Sequence, residues 1–152
     1  MKIKKLALLA LFFSFTASAH DSHEALQASF MDALRASDAA ALASHYTEDA
    51  VSYDVTNQKV VGPAGIAASW GGFFAQFKVL DAQLVDPHLE VHGDTGVAWG
   101  EFTMTVEPVG GGEAFEMRGR YSDVTRKTDA GWRYVMDHVS MPLPGEEEAT
   151  SE

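Results

Sequence analysis

Between residues 25 and 46, apolar side chains recur at Leu26, Phe30, Leu34, Leu42 and Tyr46, near the spacing of one helix face, with a break at Ala36, Ser37 and Asp38. The pattern predicts two short helices in tandem, the second capped by Ser37 or Asp38. Thr47, Glu48 and Asp49 then read as a stop, and residues 50–55 alternate as a short strand. Asn57 and Gln58 turn the chain into a brief extended run over 59–61. Gly62 and Pro63 open a third helix, with Ile66, Trp70, Phe73, Phe74 and Phe77 as its apolar stripe. Beyond it the period changes to two, and strands are expected over about 79–91, 96–106, 115–127 and 132–141. Loop residues 92–95 and 108–112 separate them. Helices first and an antiparallel meander afterwards predict an α+β domain, with the helices packed on a strongly curved antiparallel sheet that leaves a conical cavity beneath them.

The last two strands carry most of the candidate chemistry. If Asp129 and Ala130 are the central residues of their turn, regular pairing sets Asp123 opposite Met136 and diagonal to His138. An acid and an imidazole then share one sheet face with Tyr121, Trp132 and Tyr134. A slip of one residue would separate them, because side chains alternate between faces.

Charge and composition narrow the setting. Residues 1–19 combine Lys2, Lys4 and Lys5, an apolar run from Leu6 to Phe15, and Ala17-Ser18-Ala19, the layout of a cleaved secretory signal. The expected organisation is a signal peptide at 1–19, one domain at 20–143 and a disordered acidic tail at 144–152, with a periplasmic or secreted product. Of the 11 basic residues three lie in the leader, so 22 acidic residues outnumber the remaining 8. That balance argues against nucleic acid and anionic membranes as partners. The chain has no cysteine, which removes disulfides and thiolate metal sites. His20 would become the amino terminus, where amine and imidazole together with His23 can chelate copper; a frayed, exposed terminus is the expectation. No cluster has the spacing of a zinc site.

The block from His45 through Asp54, followed by Val61-Gly62 and the run from Ile66 to Trp70, then residues 121–142, resembles the nuclear transport factor 2-like superfamily, and within it the SnoaL-like and ketosteroid-isomerase-like proteins. Residues 86–95, Trp132 and His138-Val139-Ser140 also resemble the association domain of calcium/calmodulin-dependent protein kinase II. The resemblance covers nearly all of the expected domain and implies the cystatin-like, cone-shaped fold. It implies that Asp54 stands where the isomerases carry a general-base aspartate and Asp123 where they carry a protonated aspartate that stabilises an enolate, a pairing the isomerases exemplify. Phe30 occupies the position of their oxyanion-hole tyrosine and has no hydroxyl to donate. Tyr46 and Trp70 match surrounding aromatic positions, and Tyr46 is the substitute donor.

Two function classes follow. In the first, an exported domain binds a small apolar or carbonyl-bearing molecule and moves a proton without a cofactor. Asp54, Asp123 and His138 act on the ligand, and Tyr46, Trp70, Phe74, Trp99, Tyr121, Tyr134 and Met136 surround it. In the second, the domain is a noncatalytic dimerisation or ligand-binding module of the kinase-association type, its cavity filled by its own side chains. A homodimer is expected in either case. Arg118 and Arg120, on one side of a strand, read as cross-strand partners of nearby glutamates.

Overall fold

The computed structural model describes residues 20–54 and 58–141. The expected signal peptide and acidic tail therefore lie outside the described residues. Helix α1, His23–Arg35, starts where the Ser22 side chain accepts a hydrogen bond from the Ala25 amide at 3.2 Å, and it buries Leu26, Met31 and Leu34. Ser37 turns the chain at φ 52°, and the Asp38 carboxylate accepts from the Ala41 amide at 2.9 Å to start α2, Ala39–Ser44. Of the two candidate caps, Asp38 is the one used.

Strand β1 runs Tyr46–Tyr53, so Thr47, Glu48 and Asp49 are part of a strand and not a stop. They lie where the pairing of β1 with its neighbour is irregular, between Tyr46 and Val51. Strand β2, Lys59–Val61, leads into α3, Gly62–Phe74, through Gly62 at φ 70°, with Pro63 in the first turn. Four long strands follow: β3 Phe77–His92, β4 Thr95–Pro108, β5 Phe115–Thr128 and β6 Gly131–Ser140.

The six strands form one curled sheet in the order β2-β1-β6-β5-β4-β3. The meander β3 to β6 is antiparallel as expected, while β1 returns parallel to β6, which makes the sheet mixed. The core has two parts. Met31, Leu34, Leu42, Val79, Met104 and Val106 fill one, and Leu26, Ala43, Ala50, Ile66, Trp132 and Tyr134 the other. Phe30 and Trp70 pack against both and so sit at their junction.

His20 is not a frayed terminus. Only 8% exposed, it accepts a hydrogen bond from the Trp132 amide at 2.9 Å through its carbonyl, and its ring stacks on His45 at 5.1 Å. The carbonyl of Leu42 can only accept, so His45 Nδ1 donates to it at 3.2 Å; in the neutral ring that burial favours, Nε2 accepts from the Ser29 hydroxyl at 2.9 Å. His23 is 2% exposed, with neither ring nitrogen hydrogen-bonded among the described residues.

Burial lowers the pKa of all three histidines; Arg133 adds to this at His20 and His45, while Asp21 and Glu24 oppose it at His20 and His23. Below pH 6.5 the unfolded chain takes up protons that the native state refuses, so stability is lost as pH falls through that value toward the lower native pKa. The slope is at most about 1.4 kcal/mol per pH unit for each histidine. Urea midpoints at pH 7.5 and 5.5 are expected to differ, with a smaller difference in His23→Leu. An equal difference in that variant would remove His23 from the account.

Candidate active site

The site begins with strand parity. On β5, Tyr121, Asp123 and Thr125 alternate inward and are buried, as are Trp132 and Tyr134 on β6. The turn is the expected one, with Thr128 opposite Gly131, and pairing proceeds regularly to Thr125 opposite Tyr134. There β6 inserts one extra residue, Val135. The next pair is Val124 with Met136, and the one after it Asp123 with Asp137. This bulge corrects the expected register: the residue across from Asp123 is a second aspartate.

His138 moves to the other face for the same reason. It is exposed, stands opposite Ser122, and has its ring 6.2 Å from that of Tyr53. Together with Trp99, which is 40% exposed and stacked on His88 at 5.4 Å, it borders a separate outer depression. The acid and the imidazole therefore do not share a face. Met136 also points outward, paired with Val51 and Val124. Phe74 packs on Trp70 and Phe73 and is not among the cavity-lining residues. Arg118 and Arg120 stand opposite Thr103 and Glu101, and neither forms an ion pair within 4.0 Å among the described residues.

Between the helices and the inner sheet face is a cavity of about 450 Å³, a usual size for a small-molecule site. Phe30, Trp70, Phe73, Phe102, Met104 and Met117 give it an apolar wall. Tyr46, Tyr121 and Tyr134 line it as expected, and so do Asp54, Asp123 and Asp137. Asp54 lies just beyond the end of β1, at the approach to α3. Its Oδ1 accepts from the Gln58 amide and its Oδ2 from the Ser69 hydroxyl, each at 3.3 Å.

The electrostatics differ along the β5–β6 pair. Burial pushes Asp123 well above the usual carboxylate range, and the neighbouring Asp137 adds to the effect. Burial also raises Asp137, but hydrogen bonds from Ser52 and Tyr46 favour its ionised form. The Tyr46 hydroxyl donates to Asp137 Oδ2 at 3.1 Å. Tyr46 and Tyr134 are themselves pushed well above the usual phenol range, first by burial and then by nearby groups including these carboxyls, so both remain hydroxyl donors. Asp137 Oδ1 is buried with no hydrogen-bond partner among the described residues. The cavity thus carries three carboxyl groups, Asp54 and the cross-strand pair Asp123 and Asp137, with burial raising both members of the pair and hydrogen bonds opposing the rise at Asp137 alone.

Asp137 is a cavity residue outside the sequence-predicted set, although the sequence of β6 carries a signal for it. Apolar residues occupy even positions at Trp132 and Tyr134 at the start of β6 but odd positions at Val139 near its end and Met141 just past it, and the last two line the cavity. Such a change of phase within one strand requires an extra residue between the two runs.

Among known proteins, the family described as SnoaL-like domain matches residues 24–144. No curated relative matches the sequence. A nuclear transport factor 2-like superfamily protein from Salmonella enterica superposes with a TM-score of 0.69 at 23% identity, covering 80% of this chain and 91% of its own. A ketosteroid isomerase-like protein from Erwinia carotovora gives 0.67 at 18% identity, covering 87% and 100%. A hexachlorocyclohexane dehydrochlorinase of type 2 gives 0.68 at 16% identity, covering 78% and 81%. At these identities the likeness is one of fold.

Proposed function

The chain belongs to the SnoaL-like domain family, and on that premise we propose that it binds a small, largely apolar, carbonyl-bearing molecule in the inner cavity and catalyses proton transfer at the carbon next to the carbonyl. The observation that carries this reading is a largely apolar cavity lined by Asp54 and by the buried Asp123–Asp137 pair.

Asp54, held by Gln58 and Ser69, takes the proton from carbon. Asp123, in its neutral form, donates a hydrogen bond to the oxygen on which negative charge develops. Tyr46 supports that donor indirectly, since its hydroxyl is committed to Asp137. Phe30 contributes shape alone. His138 has no part in this scheme, because it faces away from the cavity. The space between helices and sheet favours ligand binding over an assembly module whose own side chains fill its interior.

Export is the companion proposal, supported by the basic start, apolar run and small-residue site of residues 1–19. The intact mass of the protein from a periplasmic fraction should correspond to a chain beginning at His20, and an unprocessed mass would refute it.

The function is tested by following hydrogen–deuterium exchange next to the carbonyl of small cyclic ketones in heavy water by NMR. Catalysed, saturable exchange with at least one ketone is the expected result. A ring-size series giving neither exchange above buffer nor saturable binding would overturn the proposal.

A further inference from the structure

Asp123 and Asp137 are direct cross-strand partners on the inward face, each 7% exposed. Side chains so paired have Cβ atoms about 4.5–5.5 Å apart, close enough for the two carboxyl groups to act on each other. Two full charges 4 Å apart repel by about 4 kcal/mol even at an effective dielectric constant of 20. No Lys, Arg or His is among the residues that line the cavity, so no cation in its wall offsets that repulsion. The groups facing the pair are Tyr46 and Ser52 from β1, Tyr121 from β5 and Tyr134 from β6, with Asp54 two residues beyond Ser52 and His138 behind the sheet. The Tyr46 and Ser52 bonds select Asp137 as the ionised member and leave the proton on Asp123.

We infer that Asp123 and Asp137 hold one proton between them, and that this half-neutralised pair makes the cavity a receptor for uncharged ring compounds bearing a hydroxyl or carbonyl oxygen while rejecting carboxylates and phosphates. The inference rests on the reading that the cavity takes a ligand, and it names the class. A ligand hydroxyl or carbonyl oxygen accepts from the neutral Asp123. An anionic guest would place a second negative charge beside Asp137 with no cation in the wall. Asp137 is thus a positioning residue that keeps its neighbour protonated.

The test uses three probes of one shape and different charge, naphthol, naphthoate and naphthylmethylammonium, in titration calorimetry at pH 7, with infrared detection of the protonated-carboxyl band across pH. Naphthol is expected to bind, and naphthoate about tenfold or more weakly than naphthol. The acid band should be present at pH 7 and absent in Asp123→Asn. Asp137→Asn keeps an oxygen for Tyr46 while removing the charge, so the band should disappear about one pH unit or more lower, and the penalty on naphthoate should shrink. A purely structural role for Asp137 would not move that titration.

An acid band missing at pH 7, a titration unchanged in Asp137→Asn, naphthoate binding as tightly as naphthol, or the ammonium probe binding tightest would each overturn the inference. If the probes bind without regard to charge, ligand binding stands and the inference alone falls. If none binds, ligand binding itself is refuted, and the receptor with it.

Discussion

Asp54→Asn is expected to slow ketone proton exchange by about 10²- to 10⁴-fold, the usual contribution of a positioned general base. Ketone binding should change little. The amide keeps an oxygen to accept from the Gln58 amide, and its nitrogen can donate to the Ser69 hydroxyl, so these two contacts survive with one reversed. The negative charge is removed, and with it the capacity to take a proton. Asp54 is partly exposed beyond the end of β1, where such substitutions usually cost no more than about 0.5 kcal/mol. The melting temperature should accordingly stay within about 2 °C of the parent. Rates measured on the same ketones with unchanged saturation would separate chemistry from binding, and full activity in the variant would end the assignment of Asp54 as base.

Leu26→Ala should have the largest effect on stability, about 3 kcal/mol in a range of 2 to 5 for a fully buried leucine. Leu26 is 0% exposed, and it belongs to the buried cluster that includes Ala43, Ile66, Trp132, Tyr46 and Tyr134. The cost combines lost burial with a cavity that rigid aromatic neighbours cannot close. A fall of roughly 10 °C in melting temperature corresponds to it for a domain of this size. Because the void would open beside Tyr46 and Tyr134, the Tyr46 bond to Asp137 should loosen as well, giving weaker ligand binding than the lost stability alone explains. A loss below about 1 kcal/mol would show that the cluster collapses around the deletion and that the support of Tyr46 lies elsewhere.

Much of the fold could be read from the spacing of apolar residues, because the helices keep one period and the meander strands another over most of their length. The break at Ser37, the Gly62-Pro63 helix start and the turn at Asp129 and Ala130 are local signals, and the structure uses each of them. What escaped depends on distant partners. The polar run Thr47 to Asp49 becomes a strand because β6 pairs with Tyr46 and again from Val51 onward, on either side of an irregular stretch. His20 is buried because Trp132, more than a hundred residues away, and the ring of His45 meet it. At the candidate site, Asp54, Asp123, Tyr46, Trp70, Tyr121 and Tyr134 all line the cavity. An unbroken ladder turns His138 and Met136 inward, and aromatic character alone suggests a ligand contact for Trp99; neither criterion reports which way a side chain points.

The extra residue at Val135 also bears on how relatives should be compared. An unbroken β6 would turn Met136 and His138 inward and Asp137 outward, a thioether and an imidazole in place of an acid. Two homologues differing by that single insertion would share nearly every letter of their last strand and still present different chemistry to the same guest. Matching them column by column would equate residues on opposite sides of the sheet. Transfer of substrate preference between such chains has to count strand parity from the nearest bulge before it compares residue names.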